Sequence, residues 1–334
     1  MLEFRSLTPQ DLDVIRPMLG SNPHRLCDLT VGGIFIWRDY YKTEYAICGG
    51  VLYFKVDYPG FGTVFAMPRG GDRKREYEQV REYCQRRNMP VIFYPMPKDE
   101  LESLTRLFPC ASVMWDRDTF DYLYEAEALK YFKGKKLSGQ RNHVNRFLRT
   151  YGDAWSFAPL AVADAAQVED FLARYAAGTQ KESTTFEEDL TKTREMLATF
   201  AAYGMVGGVL RVEDRVVGFA IGEVAGDTLF VHMEKADRSC EGGYQMLVSQ
   251  FAQMYAVGGV EYINREDDTG DPGLRTSKLS YKPLTLLEKY AVVVQDGPCT
   301  GREGKWTVLE ADIVRPCEKS LEDDAILLDK GEIG

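Results

Sequence analysis

A run of five polar residues follows a short apolar segment in the last third of the chain. Asn264-Arg265-Glu266-Asp267-Asp268 comes directly after Tyr262-Ile263. Ligand sites of open α/β sheets lie where strands end and helices begin, and carboxylates there can hold an ammonium group or remove its proton. The run therefore predicts an amine site, with Asp267 as a candidate base and substrate contacts at Asn264, Arg265 and Glu266. A solvated acidic turn would have the same composition and is the alternative.

The segment after this run has the composition of a helix. Asp271 suits a helix N-cap and Pro272 the first helical position. Lys278 and Tyr281 then share one face of that helix with Leu274. Inward-facing side chains would let Lys278, with Lys282 near it, contact a donor phosphate, and would let Tyr281 donate a proton. A salt bridge and a core tyrosine are the alternative.

His232 and Glu234 lie two residues apart in an apolar segment. Side chains of a strand alternate between its faces, so both point to the same side. Glu234 is thus a second candidate base, with His232 as a substrate contact. If that face meets solvent, both are ordinary surface residues.

Gly242-Gly243-Tyr244 precedes an apolar helical pattern. Backbone N–H groups at the start of a helix can bind a pyrophosphate. These three residues are therefore a candidate cofactor loop, and a simple tight turn explains them equally well.

The segment Lys130–Arg149 contains seven lysines and arginines and no acidic residue. Its helical pattern places an apolar stripe on one side and polar side chains on another, among them Asn142 and Arg146. Together with Arg141, these could bind RNA phosphates or a cofactor diphosphate. A solvated helix between domains is the alternative.

Alternating strands and helices must position these residues. The second half predicts strands at Val206–Val212, Val216–Glu223, Thr228–Lys235, Tyr262–Glu266 and Tyr290–Val294, with helices from Gly242 and Leu274 between them. The first half predicts strands at Tyr45–Ile47, Val51–Val56, Thr63–Met67, Val91–Tyr94 and Ser112–Asp116, with a helix near Arg73–Arg87. This order is typical of an α+β sheet with helices on its faces.

Two sequence motifs occur in both halves and indicate that the halves repeat one fold. Phe4-x-x-Leu7-x-x-x-Asp11 recurs as Phe157-x-x-Leu160-x-x-x-Asp164, 153 residues later. Gly49-Gly50-Val51-Leu52 recurs as Gly207-Gly208-Val209-Leu210, 158 residues later. A repeat of this length indicates duplicated domains.

Composition narrows the class of protein. The 334 residues are 45% hydrophobic and 28% charged, which supports a full core. The net charge of -10 leaves only a local basic patch for nucleic acid. The seven cysteines form no C-x-x-C pair and there are three histidines, so no metal site is predicted. No apolar run reaches the ~18 residues of a membrane span, and the N-terminus shows no signal pattern, so a cytoplasmic protein is expected.

The order of elements and five motifs resemble the GNAT acyltransferase fold. They are more closely similar to a bacterial family related to the C-terminal domain of phosphatidylglycerol lysyltransferase. The motifs are Lys136–Phe147, Val216–Glu223, His232–Asp237, Gly243-Tyr244-Gln245 and Tyr262–Pro283. That family is similar in turn to Fem-type transferases, which use aminoacyl-tRNA. The resemblance covers nearly the whole chain.

The resemblance implies an α/β (α+β) protein of two tandem GNAT-like domains, each a mixed central sheet flanked by helices. The expected domains are residues 1–127, residues 128–300 with the basic helix, and a C-terminal tail at 301–334. The implied activity is transfer of an aminoacyl group from aminoacyl-tRNA, or of an acyl group from acyl-CoA, to a small amine or peptide. Arg238–Gly243 lacks the spacing of the acetyl-CoA signature, which favours tRNA as donor. A non-catalytic binding or regulatory protein with the same fold is the alternative.

Overall fold

The computed structural model describes residues 1–58, 62–178 and 184–295. These residues form two seven-stranded mixed sheets with helices packed on them. The strands in chain order are β1 (Arg5–Ser6), β2 (Glu44–Cys48), β3 (Val51–Tyr58), β4 (Gly62–Phe65), β5 (Val91–Pro97), β6 (Ala111–Trp115), β7 (Asp121–Glu125), β8 (Trp155–Pro159), β9 (Val206–Val212), β10 (Arg215–Ala225), β11 (Thr228–Ala236), β12 (Tyr262–Asn264), β13 (Thr285–Leu287) and β14 (Lys289–Val294). The predicted tail at 301–334 lies outside the described residues.

Ten helices connect the strands of the described segments. They are α1 (Leu12–Leu19), α2 (Val31–Phe35), α3 (Arg73–Gln85), α4 (Lys98–Leu107), α5 (Ala126–Tyr131), α6 (Ser138–Tyr151), α7 (Ala165–Ala177), α8 (Thr184–Thr199), α9 (Gly243–Tyr255) and α10 (Pro272–Ser280). The predicted start of α10 is confirmed, because the Asp271 carboxylate accepts a hydrogen bond from the Leu274 N–H and Pro272 opens the helix. No helix among the described residues is both long and apolar enough to cross a membrane.

The two sheets have the same strand order and the same orientations. The first runs β1-β2-β3-β4-β5-β14-β6 and the second β8-β9-β10-β11-β12-β7-β13. In each sheet the fourth and fifth strands are parallel and every other neighbouring pair is antiparallel. The prediction that the halves repeat one fold is therefore confirmed.

The sixth strand of each sheet comes from the other half of the chain. β7 pairs with β12 and β13 of the second sheet, and β14 pairs with β5 and β6 of the first. The sequence placed β14 at the end of the second half's own sheet, and the structure corrects this. The boundary expected between residues 127 and 128 stays a prediction, and this exchange of strands crosses it.

One of the two repeated motifs lies at equivalent positions of the two halves. Asp11 and Asp164 each accept a hydrogen bond from the backbone N–H three residues earlier, at the start of a 3-10 helix. Gly49-Gly50 forms the β2–β3 turn, whereas Gly207-Gly208 lies inside β9. Both segments need glycine, but for different reasons. Gly49 has a φ of 59°, and a Cβ on Gly208 would lie 2.2 Å from Phe157 Cζ.

An apolar core spans the two halves. Its largest cluster includes Phe35 and Tyr45 of the first half and Phe171 and Phe219 of the second. Because the halves share both this core and their sixth strands, a site at their junction is built on one folded unit.

Candidate active site

A buried lysine lies at the start of the exchanged strand β14. The Lys289 ammonium is 2.7 Å from Asp121 Oδ1 and 2.5 Å from Asp28 Oδ2. Lys289 and Asp121 are 1% and 0% exposed. Burial acts to lower the pKa of Lys289, but the Asp121 and Asp28 carboxylates raise it well above its ordinary value. The lysine is therefore a fixed positive charge between the two sheets.

Asp121, the first residue of β7, connects this lysine to both halves. Its carboxylate accepts hydrogen bonds from the Cys27 N–H at 2.8 Å and from Asn264 Nδ2 at 2.9 Å. Asn264 ends β12 and also donates to the Arg25 carbonyl at 2.7 Å. These bonds hold the loop before α2 against the end of β12.

Three side chains with metal-ligating atoms meet at this point. The atoms of Cys27, Asp28 and Asp121 lie within 4.8 Å of one another. The Lys289 ammonium contacts both carboxylates and is 3.5 Å from Cys27 Sγ. The cation at the centre of this group is therefore the lysine itself.

Asp267 is the outermost carboxylate of this group, with Oδ2 4.0 Å from the Lys289 ammonium. About a quarter of its side chain is exposed (24%). Burial, helped by Asp121 and Glu266 and opposed by Lys289 and Lys278, raises the pKa of Asp267 to about 7. A carboxylate that titrates near neutral pH is suited to accept and return a proton.

The residue after Asp267 anchors the segment. Asp268 is fully buried and accepts hydrogen bonds from Arg275 at 2.7 Å and from Arg117 at 3.2 Å. It also accepts one from the Tyr122 hydroxyl. This network fixes the backbone on which Asp267 sits.

His232 joins the halves a second time. Its Nδ1 is 2.8 Å from Glu266 Oε1 and its Nε2 is 2.8 Å from Glu223 Oε1. Glu223 in turn accepts hydrogen bonds from the N–H groups of Val31 and Gly32 at the start of α2. A Cβ on Gly32 would lie 2.3 Å from His232 Nε2, so only glycine fits there.

His232 is held in its charged form. Burial acts to lower the pKa of His232, but the Glu223 and Glu266 carboxylates raise it to about 10. Burial likewise acts to raise the pKa of Glu223, but hydrogen bonds from His232 and the Gly32 N–H bring it below its ordinary value. The ring is therefore a charged link between two glutamates at neutral pH.

The other predicted base, Glu234, pairs with a neighbour. Its Oε1 is 2.6 Å from the Arg265 guanidinium, which also lies 4.5 Å from the centre of the Tyr281 ring. Tyr281 is 2% exposed, and burial raises its pKa. The Lys278 ammonium donates to the carbonyls of Arg265 (2.6 Å) and Asp267, and burial lowers its pKa. Tyr281 and Lys278 therefore hold Arg265 and Asp267 in place.

The predicted cofactor loop lies against the basic helix α6. Gly242 adopts the left-handed conformation with φ 76°, and a Cβ there would lie 2.2 Å from the His143 carbonyl oxygen. Close packing thus explains this glycine. Gly243 and Tyr244 begin α9, and Lys282 follows α10 with φ 57°.

The structure gives partners to two of the three polar residues predicted on α6. Arg141 donates to the Phe132 carbonyl at 2.6 Å, and Arg146 pairs with Glu241 at 3.0 Å. Asn142 is exposed. Further exposed basic side chains in and before α6 are those of Lys133, Lys135, Lys136 and Arg149.

A cavity lies in the first half, on the face of the sheet where β4 and β5 diverge. Its volume is about 60 Å³, and it is partly open to solvent. Its lining includes Asp28, Tyr41, Tyr58 and Tyr94. In the second half, side chains near the point where β11 and β12 diverge form the pairs His232–Glu266 and Arg265–Glu234.

Sequence reasoning missed the residues of the central ion group, Asp28, Asp121 and Lys289, and the cavity that Asp28 lines. Each stands next to apolar residues: Asp28 beside Leu29, Asp121 between Phe120 and Tyr122, and Lys289 before Tyr290–Val294. A charged residue within an apolar segment is the feature that could have identified them, because such residues are buried only when paired.

Comparisons with known proteins agree with the topology. The family model described as phosphatidylglycerol lysyltransferase, C-terminal, matches residues 22–293. A crystal structure of a conserved protein of unknown function from Bacteroides thetaiotaomicron is 32% identical. The match covers 88% of this chain and 100% of that one, with a TM-score of 0.81.

Two more distant structures share the fold. The C-terminal domain (DUF2156) of an Agrobacterium fabrum protein is 15% identical over 86% of this chain and 92% of its own, with a TM-score of 0.59. L-PGS from Bacillus licheniformis is 13% identical over 87% of this chain and 93% of its own, also with a TM-score of 0.59.

The raised pKa of His232 makes stability depend on pH. The folded state keeps the proton up to about pH 10, whereas an unfolded histidine loses it near 6.5. Stability from this group is therefore complete below pH 6.5 and is lost as pH rises towards 10. In His232→Gln, the fall in unfolding free energy between pH 6.5 and 9.5 should be smaller than in wild type by more than about 1 kcal/mol.

Urea unfolding at a series of pH values measures this difference. His143→Gln, at an exposed position of α6, is the matched control and should keep the wild-type pH dependence. Parallel curves for wild type and His232→Gln would contradict the assignment of a charged imidazole.

Proposed function

The chain belongs to the phosphatidylglycerol lysyltransferase C-terminal family, and from this membership we propose that it is a GNAT-type transferase that moves an aminoacyl group onto an amine. The observation that carries the proposal is Asp267, a carboxylate with a pKa of about 7 beside the Lys289 ion group. An acceptor amine is an ammonium ion at neutral pH and must lose a proton before it attacks. Asp267 is suited to take that proton.

The proposed reaction is aminolysis of an ester. After Asp267 removes a proton from the acceptor ammonium, the nitrogen lone pair attacks the carbonyl carbon of the aminoacyl ester. A C–N bond forms, the C–O bond to the ribose breaks, and the leaving oxygen takes up the second proton that the attacking nitrogen loses. Asp267 then releases the first proton to solvent. The amide is the more stable product, so no further co-reactant is needed.

Other predicted site residues take positioning roles in this proposal. Glu234 is less suited than Asp267 to act as the base, because it is paired with Arg265 at 2.6 Å. Tyr281 packs on that guanidinium and Lys278 holds the carbonyls of Arg265 and Asp267. These contacts support a fixed orientation of the polar segment rather than direct proton transfer.

We propose aminoacyl-tRNA rather than acyl-CoA as the donor. At the start of α9, where a coenzyme diphosphate would bind, Gly242 packs closely against the His143 carbonyl. The exposed basic residues in and before α6 instead form a surface suited to an extended phosphate backbone. An acyl-CoA donor and a non-catalytic role are the competing outcomes.

The base assignment predicts the pH dependence of transfer. Activity should rise with pH through about 7, because Asp267 must lose its proton to act as a base. Asp267→Asn should lower the rate by about 10²- to 10⁴-fold. The measurement is transfer of a radiolabelled aminoacyl group from charged tRNA to a panel of small amines, across pH 5.5–8.5.

Asp214→Asn, in the exposed β9–β10 turn, is the control and should transfer at the wild-type rate. An Asp267→Asn rate equal to wild type would remove Asp267 as the base. Transfer from acyl-CoA alone would replace tRNA as the donor.

The tRNA surface predicts salt-dependent binding. Arg146→Ala should weaken tRNA binding and reduce the slope of log K against log salt by about one phosphate contact. Fluorescence anisotropy over a salt series measures both. Arg106→Ala, on the exposed face of α4 in the first half, is the control. Absence of binding at low salt, or equal slopes for wild type and Arg146→Ala, would exclude this surface.

A further inference from the structure

We propose that His232 is a positioning residue of the transfer site, which holds the Glu266 carboxylate and balances its charge next to Asp267, the proposed base. This rests on the proposed function, because it takes Asp267 as the group that deprotonates the acceptor. The titration of Asp267 can be measured without any donor, so the two proposals can fail separately.

A β-bulge directs His232 into the junction of the halves. Two consecutive residues of β10 pair with Met233 and Val231 of β11, so His232 is an extra residue in its strand. Bulges redirect a side chain and are frequent beside active sites. The bulge also interrupts the alternation of side chains between His232 and Glu234, and the two have separate partners.

The imidazole of His232 is occupied at both nitrogens. Its Nδ1 is 2.8 Å from Glu266 Oε1 and its Nε2 is 2.8 Å from Glu223 Oε1. The side chain is 2% exposed. His232 therefore acts on the residues that it contacts rather than on a substrate, and of these Glu266 is the neighbour of the base.

The backbone turns sharply at Glu266. Its φ is 56°, in the left-handed region that residues other than glycine seldom adopt. Its N–H donates to Asn264 Oδ1 at 2.6 Å. The turn gives the two adjacent carboxylates different partners, His232 for Glu266 and the Lys289 ammonium for Asp267. Such a conformation persists where the surrounding contacts fix it, and it is frequent at functional sites.

The charge of Glu266 opposes the ionisation of Asp267. The two carboxylates belong to consecutive residues, and Glu266 acts to raise the pKa of Asp267. The imidazolium of His232 offsets this effect, because it is a positive charge in contact with Glu266. The other titratable groups around Asp267 and its partner lysine come from several elements: Lys289 of β14, Asp121 of β7, Lys278 of α10, Cys27 and Asp28 ahead of α2, and Tyr41 and Tyr58.

Carbon-13 NMR of protein labelled at its aspartate carboxyl groups tests this role, with the Asp267 signal assigned by its absence from Asp267→Asn. In His232→Gln the midpoint of the Asp267 titration should rise by about half a pH unit or more, because the Glu266 charge is no longer balanced. In Glu266→Gln the midpoint should fall below that of wild type. The double variant His232→Gln/Glu266→Gln should lie closer to wild type than His232→Gln does.

His143→Gln, at an exposed position of α6, is the control and should leave the midpoint unchanged. Thermal unfolding checks that each variant is folded. The Glu266 side chain is 26% exposed, so Glu266→Gln keeps the proposal testable even where His232→Gln does not fold.

Three results would overturn the proposal: an unchanged midpoint in Glu266→Gln, no rise in folded His232→Gln, or a double variant no closer to wild type than His232→Gln. If the midpoints move as expected but wild type transfers no aminoacyl group, the role of His232 holds and the transfer proposal fails. If transfer depends on Asp267 and has the same pH profile in wild type and His232→Gln, the transfer proposal holds and this one fails.

Discussion

The ion group of Lys289, Asp121 and Asp28 is the interaction on which the rest of the structure depends. Lys289 begins the strand that the second half gives to the first sheet, and Asp121 begins the strand given in return. Both side chains are almost completely buried and 2.7 Å apart. Separating the halves would leave each charge without its partner, at a cost of several kcal/mol per ion. The two repeats are therefore bound into one unit at the place where the proposed chemistry occurs.

The properties of the site follow from this junction. Asp267 lies among Asp121, Glu266 and two lysines, and burial in that group brings its pKa close to neutrality. His232 and Glu223 connect the second sheet to the start of α2, so the loop carrying Asp28 is held from two directions. A fixed arrangement of charges is what a transferase needs to stabilise a developing charge without reorganising. Asp28 of the same group also lines the cavity of the first half.

Local features of the chain could be predicted from sequence. Asp271 and Pro272 begin a helix because their chemistry suits its first turn. The repeated motif that contains Asp11 and Asp164 correctly indicated a repeated fold, because both residues make the same local hydrogen bond. The polar residues at and after the end of β12 were also recognised, because their composition differs from that of the apolar residues before them.

Features that depend on long-range pairing could not be predicted in this way. The residues near Lys289 and Asp121 in the sequence do not indicate that their strands are exchanged between the sheets. The contact between the two side chains joins positions 168 residues apart. The second repeated motif matched Gly49-Gly50 with Gly207-Gly208, where glycine is required by close packing rather than by a turn. The cavity was missed because its walls come from two strands, β3 and β5, from the helix α2 and from the segments between elements. Such sites become visible only when the topology is known.

A double-mutant cycle between Lys289→Met and Asp121→Asn tests the central claim most directly. Urea unfolding gives the free energy for wild type, each single variant and the double variant. Lys289→Met should cost about 3–5 kcal/mol, because it leaves the buried Asp121 carboxylate without its cation. Asp121→Asn should cost less, because Lys289 keeps its contact with Asp28. The double variant should cost clearly less than the sum, with a coupling energy above about 1 kcal/mol. Additive losses would contradict the claim that this ion pair joins the two halves.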